Sequence, residues 1–467
     1  MALYFKYKTI DDLQAEFHRL NLDLSTQADL SPLFQPITIG SITLSNRLCI
    51  QPMEGCDGTT DGAPGELTLR RYCRFGSGGA KLIWGEAAAV LPEARANPRQ
   101  LIACSAHQSV LSNLVEITRQ AHHEAFGNDD NLLLGLQLTH SGRYSFTQPL
   151  LGCHDNLLDA RLKPGNPFRL LTDDDLKRLE DAFVAAAKIA HAAGFQFVDI
   201  KQCHRYLLNE LLSARTRPGP YGGSYENRTR LARNIIQRIR HEIPSLLIGS
   251  RLNIFDGIPF HKAGHDIGHP DAHSLPLQNH WGVKPDQPFV PDLTEPLRWV
   301  AEMKSLGVCM VNLTMGNPYA SPHYLRPFEY PPPDGYQTPE HPLLGVHRHL
   351  NLAAQIQHSQ PDLPCIGSGY SWLQEHLFHV AASQVTQKKI SIVGVGRASL
   401  SQPDFARQLM QHGKLDRKRT CRTFSYCTAL MRSKHNAQGQ FPTGCPPFDK
   451  ETYGPIWKEA QHNDNTN

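Results

Sequence analysis

Short apolar runs alternate with longer, mixed stretches that read as helical from about Leu33 to Met410. That alternation marks parallel strands joined by crossover helices. Eight runs have strand character: RLCIQPM, KLIWGEA, LLLGLQL, FQFVDIK, LLIGSRL, GVCMVNL, LPCIGSG and ISIVGVG. Ahead of the fourth, LTDDDLKRLEDAFVAAAKIAHAAG pairs Thr172 with Asp175 in a capping box. It sets Leu176, Leu179, Phe183, Ala186 and Ala190 on one face and stops at Gly194. Eight strand-plus-crossover units predict an α/β fold, a (β/α)8 TIM barrel, whose active site lies at the C-terminal ends of the strands.

Two segments fall outside this pattern. Residues 1–29 read as an N-terminal arm with one amphipathic helix, 30–412 as the barrel, and 413–467 as a polar C-terminal extension broken by proline and glycine. Within the barrel, Gly257 to Pro291 is a long insertion rich in histidine and proline, and long loops after barrel strands are often substrate lids. No internal repeat or low-complexity block is evident.

Composition narrows the function classes. A chain of 467 residues with a formal charge of +3 and no basic block or stripe is not expected to bind nucleic acid or a membrane surface. No apolar run reaches the roughly 18 residues needed to cross a bilayer, and the charged stretch MALYFKYKTIDDLQAEFHRL lacks the apolar centre of a signal peptide. Eleven cysteines, an odd number scattered over a large chain, fit reduced thiols. The expected location is the cytoplasm.

Candidate chemistry gathers at the predicted strand ends. The fourth run continues directly into Lys201, Cys203, His204, Arg205 and Tyr206. The seventh and eighth end in GSGY and GVGRASL, where glycines let backbone N–H groups approach an anion and Arg397 adds a fixed charge. Barrels frequently bind phosphate at these two strands.

LSNRLCIQPMEG, LQLTHSGR, FVDIKQCHRYLLNELLSARTRPGPYGGSYENR and GVGRASL resemble, in the same order, motifs of the Old Yellow Enzyme family of FMN-dependent NAD(P)H oxidoreductases. The resemblance covers roughly Leu33 to Met410. It implies FMN as bound cofactor and NADH or NADPH as electron donor. Pro52 and Met53 match the segment along the flavin ring, and Ala87 the small residue that lets the ring approach. Gln137 matches the amide on the pyrimidine edge, and Arg251 the arginine facing flavin N1 and O2. Ser368, Gly369, Gly396 and Arg397 match the residues that hold the FMN phosphate. Lys201 and His204 take the positions that bind a substrate carbonyl oxygen, and Tyr206 takes that of the proton donor.

The match departs at two positions. Relatives carry histidine where this chain has Lys201, and threonine or cysteine near flavin C4=O and N5 where it has Glu54. An ammonium can still stabilise charge developing on a carbonyl oxygen. An ionised carboxylate at position 54 would oppose charge on the reduced flavin, whereas a protonated one could donate to it.

The expected reaction is reduction of an activated alkene, of the α,β-unsaturated carbonyl type, with a small molecule as the partner. A homo-oligomer is an expectation from the resemblance. Amine oxidation, demethylation or nitro reduction on the same barrel are alternatives, as is a phosphate-binding lyase with Lys201 as Schiff-base nucleophile. His261, His265, His269 and His273 recur every fourth residue, yet Gly264, Gly268 and Pro270 oppose the helix that would align them on a metal. Cys421, Cys427 and Cys445 are too widely spaced for the cysteine motif of larger relatives, so no metal or iron–sulfur cluster is expected, and the tail is expected to pack on the barrel or a neighbouring subunit. GNPYASPHYLRPF, after the sixth strand, puts Tyr319, His323 and Arg326 on a loop beside the substrate cavity or, equally, on a loop braced by proline.

Overall fold

In the computed structural model, residues 4–162, 165 and 167–464 are described. Eight parallel strands form a closed ring: β1 (Leu48–Ile50), β2 (Leu82–Ala89), β3 (Leu133–Thr139), β4 (Phe197–Ile200), β5 (Leu247–Asn253), β6 (Val308–Thr314), β7 (Cys365–Gly367) and β8 (Ile392–Val395). Neighbours in sequence are neighbours in space. The ring closes where Val393, Gly394 and Val395 of β8 pair with Leu48, Cys49 and Ile50 of β1, which in turn pairs with β2. This is the (β/α)8 barrel predicted from the alternating pattern, with a short outer strand, Leu101–Ile102, added beside β2.

The helix ahead of β4 runs Asp173–Ala192. The Thr172 side chain accepts from the Asp175 N–H, Asp175 reciprocates, and Leu176, Leu179, Phe183, Ala186 and Ala190 are all buried. Gly194 ends it at φ 95°. At the N-terminal end of the barrel, Ile39 and Leu44 of the hairpin Ile37–Ile39/Ile42–Leu44 pack against Trp84, Leu133, Phe197, Met310 and Ile366. That apolar plug closes one end, so polar chemistry is confined to the other.

Both terminal segments are ordered against the barrel. In the arm, the helix Ile10–Arg19 is capped by Thr9 and buries Leu13 and Phe17, while Phe5 and Tyr7 pack on Trp372. The tail helices Tyr426–Arg432 and Lys450–Asp464 return over the C-terminal rim: the Thr443 N–H donates to Gly55 O at 2.6 Å, and Arg432 Nη2 to Pro318 O at 2.8 Å. Asp449 accepts from Arg70 and Arg74 of the first crossover helix, Glu66–Gly76. Buried Glu329, after β6, joins arm, tail and barrel, for its carboxylate accepts from Phe5 N–H and Gln374 Nε2 and its own N–H donates to Thr423 Oγ1.

The insertion departs from its expected form. Gly257 to Pro291 contains two antiparallel hairpins, Phe260–Lys262 with Gly268–Pro270 and Val283–Lys284 with Gln287–Pro291. His261 and His269 are cross-strand partners, His265 lies in the hairpin turn, and His261 Nδ1 bonds Asp271 at 2.9 Å. Among the described residues, no three His, Cys, Asp or Glu side chains are grouped to hold a metal, and no helix is long and apolar enough to cross a membrane.

Candidate active site

The C-terminal ends of the strands surround a cavity of about 1060 Å³, counting the space open to solvent at its mouth. Its wall contains Pro52, Met53 and Glu54 after β1, Ala87 on β2, Gln137 on β3, Lys201, His204 and Tyr206 after β4, and Arg251 on β5. Ser368, Gly369, Gly396 and Arg397 complete it after β7 and β8, so every residue singled out from the sequence as catalytic or cofactor-binding reaches one cavity.

A carboxylate sets the floor. Asp199, fully buried on β4, accepts from Trp84 Nε1 at 2.6 Å and Gln137 Nε2 at 2.5 Å, and from the Arg251 N–H at 2.7 Å. The Gln137 amide thus turns its NH2 toward Asp199, whose pKa burial raises against these three donors, and Gln137 itself lines the cavity. Arg251 is buried with no carboxylate on its guanidinium, and its Nε has no hydrogen-bond partner among the described residues. Asp199 was not singled out from the sequence, although a lone carboxylate inside the apolar run FVDIK was a legible signal.

Strand β4 ends by turning sharply. His204 and Arg205 have φ of 66° and 60°, left-handed values that cost a non-glycine residue roughly 1–2 kcal/mol each. His204 N–H donates to Asn253 Oδ1 and Arg205 N–H to Asn209 Oδ1, which hold the turn. Its effect is to split two neighbours: Arg205 points away from the cavity to pair with Asp155 and Asp256, and His204 lines it. Buried Arg205 and Cys203 are therefore structural, despite their place in the motif.

Lys201 Nζ lies 3.8 Å from the centroid of the Tyr206 ring, a cation–π contact. Burial lowers the proton affinity of Lys201, with Glu54 acting in the opposite sense. His204 is held well below the usual imidazole pKa, first by burial and then by Arg251, Lys201 and Arg326, so its ring is neutral. Its Nε2 has no partner among the described residues. Tyr206 is pushed well above the usual phenol range, first by burial. Its hydroxyl meets that of Tyr319, whose ring stacks on Tyr144 at 4.4 Å between centroids. Glu54 accepts from Asn97 Nδ2, and burial raises its pKa against the pull of Lys201.

At the opposite side, Gln51 ties three strand ends together: its Nε2 donates to Gly367 O and Ser368 Oγ, each at 3.1 Å, and its Oε1 accepts from Asn312 Nδ2. Gly369 sits at φ +92°, and a Cβ there would come 2.7 Å from the His349 ring. A Cβ on Gly394 would strike Gln51 Nε2 at 1.8 Å. Both glycines are required by close packing beside a cradle whose rim bears Arg397, where Nη2 donates to Pro327 O and Nη1 is unpartnered among the described residues.

Sequence reasoning assigned the cover of such a site to the insertion, but no residue from 257 to 291 lines this cavity. Thr428, Met431 and Arg432 of the tail do. Their spacing of three and four residues puts them on one helical face, the signal that would have found them.

A sequence model of the NADH:flavin oxidoreductase / NADH oxidase family matches residues 32–274, just over half of the chain. The chain belongs to this family. Among its relatives are the NADH:flavin oxidoreductase FG08077 of Gibberella zeae, 34% identical over 45% of this chain and 54% of the relative, and an NADPH dehydrogenase of Clostridium acetobutylicum, 31% identical over 45% and 60%. The chain thus spans little more than half the length of these relatives. Three solved structures share the fold at identities too low to say more. A 2-naphthoyl-CoA reductase in complex with 2-naphthoyl-CoA has a TM-score of 0.67 at 17% identity, over 92% of this chain and 58% of that one. Morphinone reductase in complex with tetrahydroNAD gives 0.58 at 19%, over 82% and 92%. The Old Yellow Enzyme homologue from Zymomonas mobilis gives 0.57 at 22%, over 83% and 94%.

The family's flavin, FMN, fits the residues present. The buried Arg251 guanidinium, whose Nε has no partner among the described residues, suits an electron-rich pyrimidine edge, Gln137 lines the same cavity, and the glycine cradle with Arg397 suits a phosphate.

Proposed function

We propose that this protein is an FMN-dependent NAD(P)H oxidoreductase that reduces an activated alkene conjugated to a carbonyl or similar electron-withdrawing oxygen group. The observation that carries the reading is the convergence of Lys201, His204 and Tyr206 on one cavity with Arg251 and Gln137. FMN, when bound, supplies the hydride relay from NAD(P)H to the alkene β-carbon.

The chain's own residues supply the rest. Lys201 and the neutral His204, through its unpartnered Nε2, donate to the substrate oxygen and stabilise the negative charge that grows there, in the manner of an oxyanion hole. Tyr206 delivers the proton to the α-carbon; its raised pKa keeps the hydroxyl protonated until that carbon becomes basic. Burial of these groups excludes water and strengthens each polar contact. Arg251 holds positive charge where a reduced flavin is anionic, and Asp199 keeps the Gln137 amide in one orientation.

An anaerobic absorption spectrum of the FMN-supplemented protein, followed by NADH and then NADPH, tests the reductive half. Bleaching by either nucleotide, then reoxidation by a cyclohexenone-type alkene, with no bleaching of the oxidised flavin by an N-methylated amine, is the expected result. A protein that takes up no FMN sinks the reading. One observation favours a second reading: the lowered proton affinity of buried Lys201 suits a Schiff-base nucleophile. Borohydride trapping of a carbonyl compound on Lys201 in the flavin-free protein would support it.

A further inference from the structure

Five cationic side chains face the cavity, and they differ in what neutralises them. Arg432 forms an ion pair with Asp334 at 2.7 Å and donates to Pro318 O at 2.8 Å. Arg397 donates to Pro327 O at 2.6 Å, which fixes its orientation beside the residue that follows Arg326. Lys201 rests on the Tyr206 ring, whereas Arg251 reaches Asp199 only through its backbone N–H and its guanidinium Nε has no partner among the described residues. Arg326, at the end of the short helix Pro322–Leu325 after β6, has no such partner among the described residues. Its Nε and Nη2 are both buried and unbonded, and no carboxylate pairs with it.

Charge makes this arrangement costly as it stands. Burial lowers the proton affinity of Arg326, and Arg432 and Arg397 add to that effect, so three guanidiniums converge from three parts of the chain with a single carboxylate among them. Like charges gathered out of water are unfavourable unless an anion joins them. A guanidinium presents a planar fork that matches phosphate oxygens, and two unbonded nitrogens on Arg326 with one on Arg397 leave that fork open. Ser368, Gly369 and Gly396 line the same cavity.

We infer that Arg326 is a phosphate-binding residue, forming with Arg397 a clamp that Arg432 of the tail backs from above. The inference rests on the flavin reading, and the phosphate can come from either of two molecules: FMN itself, or the 2′-phosphate of NADPH. A phosphate dianion accounts for the charge that Asp334 leaves unbalanced. It also accounts for why a residue of the tail reaches the cavity at all, since Arg432 is the tail's only cation among the residues lining it.

Fluorescence titration with FMN and with riboflavin, which lacks the phosphate, reads the clamp without any turnover. Wild-type protein, Arg326→Gln and Arg326→Lys are compared, the lysine variant guarding against a folding defect in the glutamine one. If FMN is the source, Arg326→Gln weakens FMN about tenfold or more and leaves riboflavin unchanged, with Arg326→Lys between. If NADPH is the source, FMN affinity holds while the FMN-loaded variant loses affinity for NADPH and not for NADH. Equal weakening of both flavins, or no change with any of the four molecules, overturns the clamp while leaving the flavin reading intact. Wild-type protein that binds neither flavin overturns both.

Discussion

The Tyr206 hydroxyl lies 3.1 Å from the Tyr319 hydroxyl, yet Tyr206 is 3% exposed and Tyr319 43% exposed. The pair joins the proposed, buried proton donor to a more exposed tyrosine through one hydrogen bond. Tyr206→Phe should slow flavin reoxidation by an alkene about 10²-fold or more while leaving reduction by NAD(P)H unchanged. Tyr319→Phe should slow reoxidation less, because the Tyr206 proton is still present for one turnover. Stopped-flow measurement of the two half-reactions separates these effects, and a Tyr206→Phe variant with normal reoxidation would remove the proposed donor.

Lys201→Ala should reduce kcat/KM for a carbonyl-bearing alkene about 10²-fold or more, the order of losing one donor to a developing oxyanion. Because His204 is neutral well below the usual imidazole pKa, the pH profile of wild-type turnover should show no acidic limb near 6.5. A limb there that disappears in His204→Asn would show the ring to be charged in the working enzyme.

Glu54 offers a test in potential. Burial raises its pKa, so in acid the carboxyl is neutral and Glu54→Gln should leave the midpoint potential of bound FMN unchanged. Once pH passes the raised pKa, the wild-type carboxylate opposes charge on the reduced flavin, and the variant should become easier to reduce. Spectroelectrochemical titration from about pH 5 to about pH 9 follows the two curves. Parallel curves over the whole range would place the carboxylate out of electrostatic reach.

Barrel topology and the cavity's main residues were legible because they depend on local order: apolar runs separated by helical stretches, and motifs at consecutive strand ends. Two things were not. The insertion looked like a lid because histidine and proline say nothing about where two hairpins will fold, whereas cross-strand pairs such as His261 with His269 form only after the chain has doubled back. The tail was expected to pack on the barrel or a neighbouring subunit, and its packing on the barrel agrees, but its place in the cavity wall was not legible because Arg432 reaches there through contacts far along the chain, to Pro318 and Asp334. Helical periodicity shows a face; it does not show what that face will cover. Asp199 illustrates the converse, a residue visible as an oddity in its strand whose three donors come from β2, β3 and β5.

Acid should destabilise the fold before most carboxylates titrate. Burial holds His122, His280 and His349 down to about 4, and His140 and His323 to about 3, all from 6.5. These folded values are depressed, so the unfolded chain takes up protons first as pH falls below 6.5, and stability present above that pH is lost. Each group contributes a slope of about 1.4 kcal/mol per pH unit between the two values. Urea denaturation at a series of pH values should show a steep decline between about pH 6 and about pH 4, and a flat profile there would mean that these rings are charged in the folded protein.

Asp449 fastens the last helix to the barrel by accepting from both Arg70 and Arg74. Asp449→Ala leaves two guanidiniums half-buried without their anion, which should cost about 1–3 kcal/mol locally. Amide hydrogen exchange should rise in Lys450–Asp464 and in Tyr426–Arg432 while the barrel strands stay protected. Uniformly faster exchange throughout would show the tail to be part of the barrel's cooperative unit.

A roof made from the tail carries a consequence for the life of the molecule. Strand β8 ends at Val395, so every stave of the barrel has left the ribosome before the helix Tyr426–Arg432 emerges. By then the other strand ends that wall the cavity are already made, and Thr428, Met431 and Arg432 add the last part of its lining while its mouth stays open to solvent. The piece of the chain that is made last therefore finishes a wall whose other parts come from the strands before it.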